Sequence, residues 1–193
     1  MFLKAARIIP RSPGLLHCEN VPGALTCQPP PMPLFLRALV CALLTTSALA
    51  LSKPTVPGDV AVLVGDVAAA PENAPAAVKN AIWAANWLRN KPYRFGGGHA
   101  TFMDIGYDCS GTVSFLLYFA GRLQQPTTSS GLMDWGDPGP GKWITIYARH
   151  GHTYMVIAGL RIDTTGGRPQ EGPRWRAKPR SSAGFVARHP PGL

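Results

Sequence analysis

Three side chains in this sequence have types that can together break an acyl bond: Cys109, His152 and Asp163. A thiolate attacks a carbonyl carbon, an imidazole moves the proton, and a carboxylate orients the imidazole. Cys109 lies in the run Asp108-Cys109-Ser110-Gly111, which opens a helical pattern through Val113, Leu116, Leu117 and Ala120. At a helix start, unpaired N–H groups and the positive end of the macrodipole favour an anion. Small Ser110 and Gly111 leave the sulfur approachable, and the Cys109 backbone N–H can help hold an oxyanion.

The candidate base sits in a predicted hairpin. His152, Tyr154 and Val156 share one strand face, and Met155, Ile157, Leu160 and Ile162 form the core face. A two-residue turn at Ala158-Gly159 pairs Ile157 with Leu160 and places Arg161, Asp163 and Thr165 on the side of His152. Asp163 is then a diagonal neighbour and Thr165 the opposite one. A turn of another length shifts the register and removes Asp163. His150, on the same face but nearer the loop, is the alternative base. His99, after Gly96-Gly97-Gly98, reads as a loop histidine without function, with an approach to the cleft as the alternative.

Elements must bring these residues together. Residues 73–89 read as a helix, with Asn73 as cap and Val78, Ile82, Ala85 and Leu88 at helical spacing. Trp83 and Trp87 most simply pack on a neighbour. The helix opened by Asp108 is apolar around its circumference, which predicts burial at the centre of the domain. Residues 124–141 read as irregular, residues 143–147, 152–157 and 160–164 as strands, and Phe185-Val186 as a short strand. The glycine triplet lacks the Lys-Ser/Thr ending of a phosphate loop and reads as a place where backbone passes close to the cleft.

The chain of 193 residues suits one domain with appendages. Charged residues are 15% and apolar ones 46%, with 21 glycines and 20 prolines, which excludes a coiled coil or a charge-rich disordered protein. Lys and Arg outnumber Asp and Glu by 19 to 10, a bias suited to an anionic environment. Residues 32–50, with Arg37, an apolar stretch and Ala48-Leu49-Ala50, read as a signal peptide. The apolar stretch is shorter than the roughly 20 residues a membrane span needs. Residues 1–31 then read as an extension ahead of a start at Met32, with no fold assigned. Cys18, Cys27 and Cys41 precede the cleavage point, so Cys109 is the only thiol expected in the exported chain. Residues 51–72 read as an extended lead-in rather than a first core element, and 73–193 as the domain, with a basic segment from about 167 that reads either as a solvated tail wrapping the sheet or as a contact for an anionic wall polymer or lipid headgroups.

In order, Pro92-Tyr93-Arg94-Phe95-Gly96-Gly97, Asp108-Cys109-Ser110-Gly111 and His152-Thr153-Tyr154-Met155-Val156-Ile157-Ala158-Gly159 resemble the NlpC-type cell-wall cysteine peptidases. The resemblance covers residues 74–166. It implies an α+β, papain-like domain whose central helix carries the cysteine and packs on a small antiparallel sheet. It also implies Cys109 as nucleophile, His152 as base, Asp163 as third member, and Tyr93, Asp108 and Ser110 on the substrate side. The implied activity is hydrolysis of an amide in peptidoglycan stem peptides by a secreted or periplasmic monomer. In the family the third position is usually a histidine or similar polar residue, so the aspartate is a departure. No cofactor or metal is expected, because the histidines and cysteine lack metal-ligand spacing. Peptidoglycan is the expected partner, with an anionic wall polymer or membrane surface as a second contact and no nucleic acid. The rival readings are a wall-binding protein without activity and a thiol amidase or acyltransferase.

Overall fold

Two glycine-shaped contacts set the geometry around the central helix. That helix, α2 (Cys109–Phe119), begins with Asp108 as its cap, whose carboxylate accepts the Gly111 N–H at 2.7 Å. A Cβ on Gly111 would run into the Gly97 carbonyl, and one on Gly97 into the Gly106 carbonyl. The glycine loop therefore lies directly on the first turn of α2, as its composition predicts. The helix ends at Gly121, whose φ of 69° suits a residue without Cβ.

The structure is a computed structural model, and it describes residues 17–21, 24–28, 53–168 and 170–193. The signal peptide read over residues 32–50 lies outside the described residues. Within the first unit, β1 (His17–Val21) and β2 (Ala24–Gln28) pair antiparallel, in a stretch whose sequence shows no clear strand period.

The second unit, Lys53–Leu193, is a mixed α+β fold. Its elements are β3 (Thr55–Val56), β4 (Val62–Val64), β5 (Val67–Pro71), α1 (Ala76–Trp87), α2, α3 (Ser129–Asp134), β6 (Asp137–Pro138), β7 (Ile144–Arg149), β8 (His152–Ile157), β9 (Leu160–Asp163), β10 (Arg174–Arg176) and β11 (Val186–His189). The main sheet has six antiparallel strands in the order β10-β9-β8-β7-β11-β6.

Helix α2 packs against α1, β8 and α3. Every residue from Ser110 to Leu117 is buried, as expected for a helix apolar on all sides. Met155, Ile157 and Ile162 supply the sheet side of this core, each at most 1% exposed. The β8–β9 turn pairs Ile157 with Leu160, Val156 with Arg161 and Met155 with Ile162. Its two residues, Ala158 and Gly159, have φ of 45° and 88°, which gives the sense of twist that strand pairs favour.

Four expectations are corrected. Within the expected lead-in, residues 55–71 are extended but belong to the core: β3 pairs parallel and β4 antiparallel with β5, and Ala68 and Ala70 are fully buried. The prolines that suggested an extended segment sit at the edges, where the Pro54 carbonyl accepts the Ala70 N–H and the Trp83 Nε1–H. The Ala61 N–H reaches the Ala158 carbonyl, tying this segment to the hairpin turn. Helix α1 starts after Pro75, not Asn73, because proline suits the edge of a first turn. Within 124–141 the short helix α3 forms, capped by the Thr128 hydroxyl on the Gly131 N–H. The basic segment does not simply wrap the sheet, since β10 and β11 are two of its strands.

Asn86 on α1 joins these parts. Its buried amide pairs with both the N–H and the carbonyl of Ala68 on β5, at 2.9 Å each, and accepts the Trp175 Nε1–H from β10 at 2.8 Å. A buried polar group with all its partners present adds direction to an otherwise apolar core.

Candidate active site

Asp108 is the organising residue of the cleft. Besides the Gly111 N–H, its carboxylate accepts the Gly96 N–H at 3.0 Å and the Ser110 hydroxyl at 3.2 Å, and meets His99 Nε2 at 3.1 Å. The same His99 nitrogen lies 3.1 Å from the Ser110 hydroxyl. Asp108 thus ties the glycine loop to the start of α2 and fixes Cys109, the first residue of that helix, at a half-buried position. The Thr112 N–H is taken by the Asp108 carbonyl and that of Gly111 by the Asp108 side chain. The first-turn N–H groups of Cys109 and Ser110 have no protein acceptor among the described residues, so they are the donors available for an oxyanion.

A cleft of about 380 Å³ opens over the sulfur, lined by Tyr93, Phe95, His99, Asp108, Ser110, Thr128, Ser129 and Gly151 as well as Cys109. Tyr93 is placed by a bridge to Tyr107. Its hydroxyl holds its proton more tightly than an ordinary tyrosine, because of burial first and then the negative charge of Cys109 and Asp108.

His152 begins β8. Its Nε2 lies 3.1 Å from Asp163 Oδ1 and 3.5 Å from the Thr165 hydroxyl, the diagonal and opposite neighbours that the turn dictates. Burial works against the imidazolium, but the hydrogen bond to Asp163 and then the interaction with Cys109 outweigh it, and the pKa rises to about 9. With Nε2 engaged by Asp163, Nδ1 is the nitrogen left for the sulfur. His150 is placed elsewhere: its Nδ1 bonds the exposed Ser130 hydroxyl at 3.0 Å.

Asp163 has no solvent exposure at its side chain. Burial alone would raise its pKa, yet hydrogen bonds from His152, Arg180 and the Thr165 N–H hold it down to about 2. Arg180 Nη1 donates to Oδ2 at 2.7 Å and Arg161 Nη1 to the same oxygen at 3.0 Å. Arg180 also lies over the rings of Tyr154 and Phe185, at 4.9 and 5.3 Å, and Phe185 meets the edge of His152.

All six residues singled out from the sequence therefore fall into one connected arrangement around the cleft. Sequence reasoning discounted His99, which bonds two of them, and missed Arg180 and Phe185. The spacing of His99 behind three glycines was a usable signal, because such a loop must approach the helix start closely. Arg180 offered none, since it arrives through an irregular segment from the far side of the sheet. Among the described residues no group of three or more His, Cys, Asp or Glu side chains is arranged to hold a metal ion.

The arrangement can carry nucleophilic acyl chemistry: a sulfur at a helix start, a proton-holding imidazole beside it, a buried carboxylate behind, and free N–H donors next to the sulfur. Compared with models of known protein families the chain matches none, and comparison with curated proteins also finds no match.

Proposed function

We propose that this chain is a cysteine hydrolase of the NlpC-type, papain-like kind that cleaves an amide bond in peptidoglycan stem peptides. One observation carries the reading: Cys109 opens a buried helix beside His152, and Asp163 holds that imidazole from 3.1 Å. The Cys109 thiolate adds to the amide carbonyl carbon, forming the C–S bond, while the carbonyl electron pair moves to oxygen and is received by the N–H groups at the start of α2. Collapse of this intermediate breaks the C–N bond. His152, which keeps its proton to about pH 9, gives it to the departing amine. Neutral His152 then takes a proton from water, the hydroxide displaces sulfur, and the free acid leaves.

Asp163 remains ionised throughout and stabilises the imidazolium. Asp108, with Ser110 and His99 attached, presents a carboxylate and a hydroxyl to the cleft, a pairing that suits a free amine on the substrate. Tyr93 supplies a neutral hydroxyl donor. The signal-like segment and the basic balance of the chain fit export to the wall, an anionic polymer.

The test is digestion of purified peptidoglycan by residues 51–193, with Cys109→Ala and His152→Ala in parallel and released fragments identified by mass spectrometry. New peptide termini that disappear in both variants are expected. No release by the unmodified protein, with equal wall retention of all three, would replace the hydrolase with a wall-binding protein.

A further inference from the structure

A second recess lies on the face of the main sheet turned away from α2. By strand alternation, Tyr147, Tyr154, Val156 and Arg161 point opposite to the core residues Met155 and Ile162, and they line this recess of about 360 Å³. Arg176 on β10 and Arg180 close it. Three arginines, from β9, β10 and the segment after β10, thus line one cavity.

Their charges are not balanced by the carboxylates at hand. Asp163 is already shared by Arg161, Arg180 and His152, and Glu171 by Arg176 and Arg174. Arg161 is 9% exposed, and its Nε is buried without a hydrogen-bond partner among the described residues; the same holds for Nε of Arg176. The three arginines of the recess carry more positive charge than the shared Asp163 and Glu171 balance, and an anion held in the recess would offset the excess. Arg161 feels the imbalance: burial and then the neighbouring charges of Arg180 and Arg176 lower its pKa, against the opposing pull of Asp163. The rest of the wall is apolar, from the stacked rings of Tyr147 and Tyr154, 4.9 Å apart, together with Val156 and Pro179.

We infer that this recess is a binding site for a small soluble molecule carrying a phosphoryl group, with Arg161, Arg176 and Arg180 receiving its oxygens. Three arginines lining one recess suit a phosphoryl group, which presents several charged oxygens, better than a single carboxylate, which one fork satisfies. The volume exceeds that of inorganic phosphate, and the tyrosine faces and Pro179 accommodate the organic remainder. The recess shares its sheet face with His152 and Asp163, and Arg161 and Arg180 both bond Asp163, but none of its lining residues lines the Cys109 cleft, and the inference does not depend on Cys109 being a nucleophile.

The test is a calorimetric titration of residues 51–193 with inorganic phosphate at constant ionic strength, beside Arg176→Gln and Ala177→Trp. Ala177 is exposed at the recess, so a bulky replacement obstructs it without entering the core. Saturable binding of one phosphate per chain is expected, weakened by about tenfold or more in each variant, as the loss of a charged hydrogen bond implies. No saturation in the millimolar range overturns the inference, as does affinity unchanged in both variants. Circular dichroism checks the fold of Arg176→Gln, and if that variant does not fold, Ala177→Trp decides alone.

Discussion

Replacing Asp163 by Asn keeps the side-chain shape and removes the charge on which the site turns. In the folded protein the carboxylate receives His152, Arg161, Arg180 and the N–H and hydroxyl of Thr165, all between 2.7 and 3.1 Å. The rise of the His152 pKa from 6.5 to about 9 corresponds to about 3 kcal/mol in favour of the imidazolium. Because His152 is raised on folding, this stabilisation is fully present below pH 6.5 and is lost as pH climbs through about 9. Asp163, lowered to about 2, contributes stability above the normal carboxylate range that is lost only as pH falls through about 2. In Asp163→Asn the two arginines and His152 lose their common counter-charge, which for a buried pair costs about 3–5 kcal/mol. At roughly 2–4 °C per kcal/mol, the melting temperature at pH 7 falls by roughly 10 °C. The His152 ring proton, followed by NMR against pH, should titrate at least about one unit lower than in the parent. A His152 titration still centred near 9 in a folded Asp163→Asn protein would refute the reasoning, since Asp163 would then not be what holds the proton.

Two further substitutions test the scaffold and the cleft separately. Asn86→Ala leaves the Ala68 N–H, the Ala68 carbonyl and the Trp175 Nε1–H without partners, and chemical denaturation should show a loss of about 3 kcal/mol or more with little change at the cleft. His99→Ala removes contacts to Asp108 and Ser110 on the substrate side of the cleft while the Asp108 cap on Gly111 and the His152–Asp163 pair keep theirs, so steady-state kinetics on stem peptides should show KM raised by about tenfold with kcat nearly unchanged.

The hairpin was readable because alternation and a two-residue turn leave one register: once Ile157 faces Leu160, Asp163 must approach His152. The start of α2 was readable for a similar local reason, a capping aspartate followed by two small residues and an apolar run. Residues 55–71 were harder. Their buried face is built from alanines, whose small apolar area gives a weak period, and the nearby prolines read as breakers although they sit at strand edges. Arg180 lies 17 positions from Asp163 and bonds it only because strands β10 and β11 hold both ends of the intervening segment on the sheet. That is a tertiary constraint with no local sequence pattern, and the same is true of the Phe185 ring against His152.

The unbroken burial of α2 also bears on how the protein ages and fails. A nucleophile carried on a surface loop can drift out of line while its scaffold survives, so activity fades before structure does. Here the first turn is clamped by the glycine loop, and the turns behind it form the middle of the core. The sulfur cannot lose its alignment piecemeal; its position belongs to the last cooperative unit to open. On heating, loss of Cys109 reactivity should therefore coincide with global unfolding, and amide exchange along 110–117 should proceed only by complete opening of the domain.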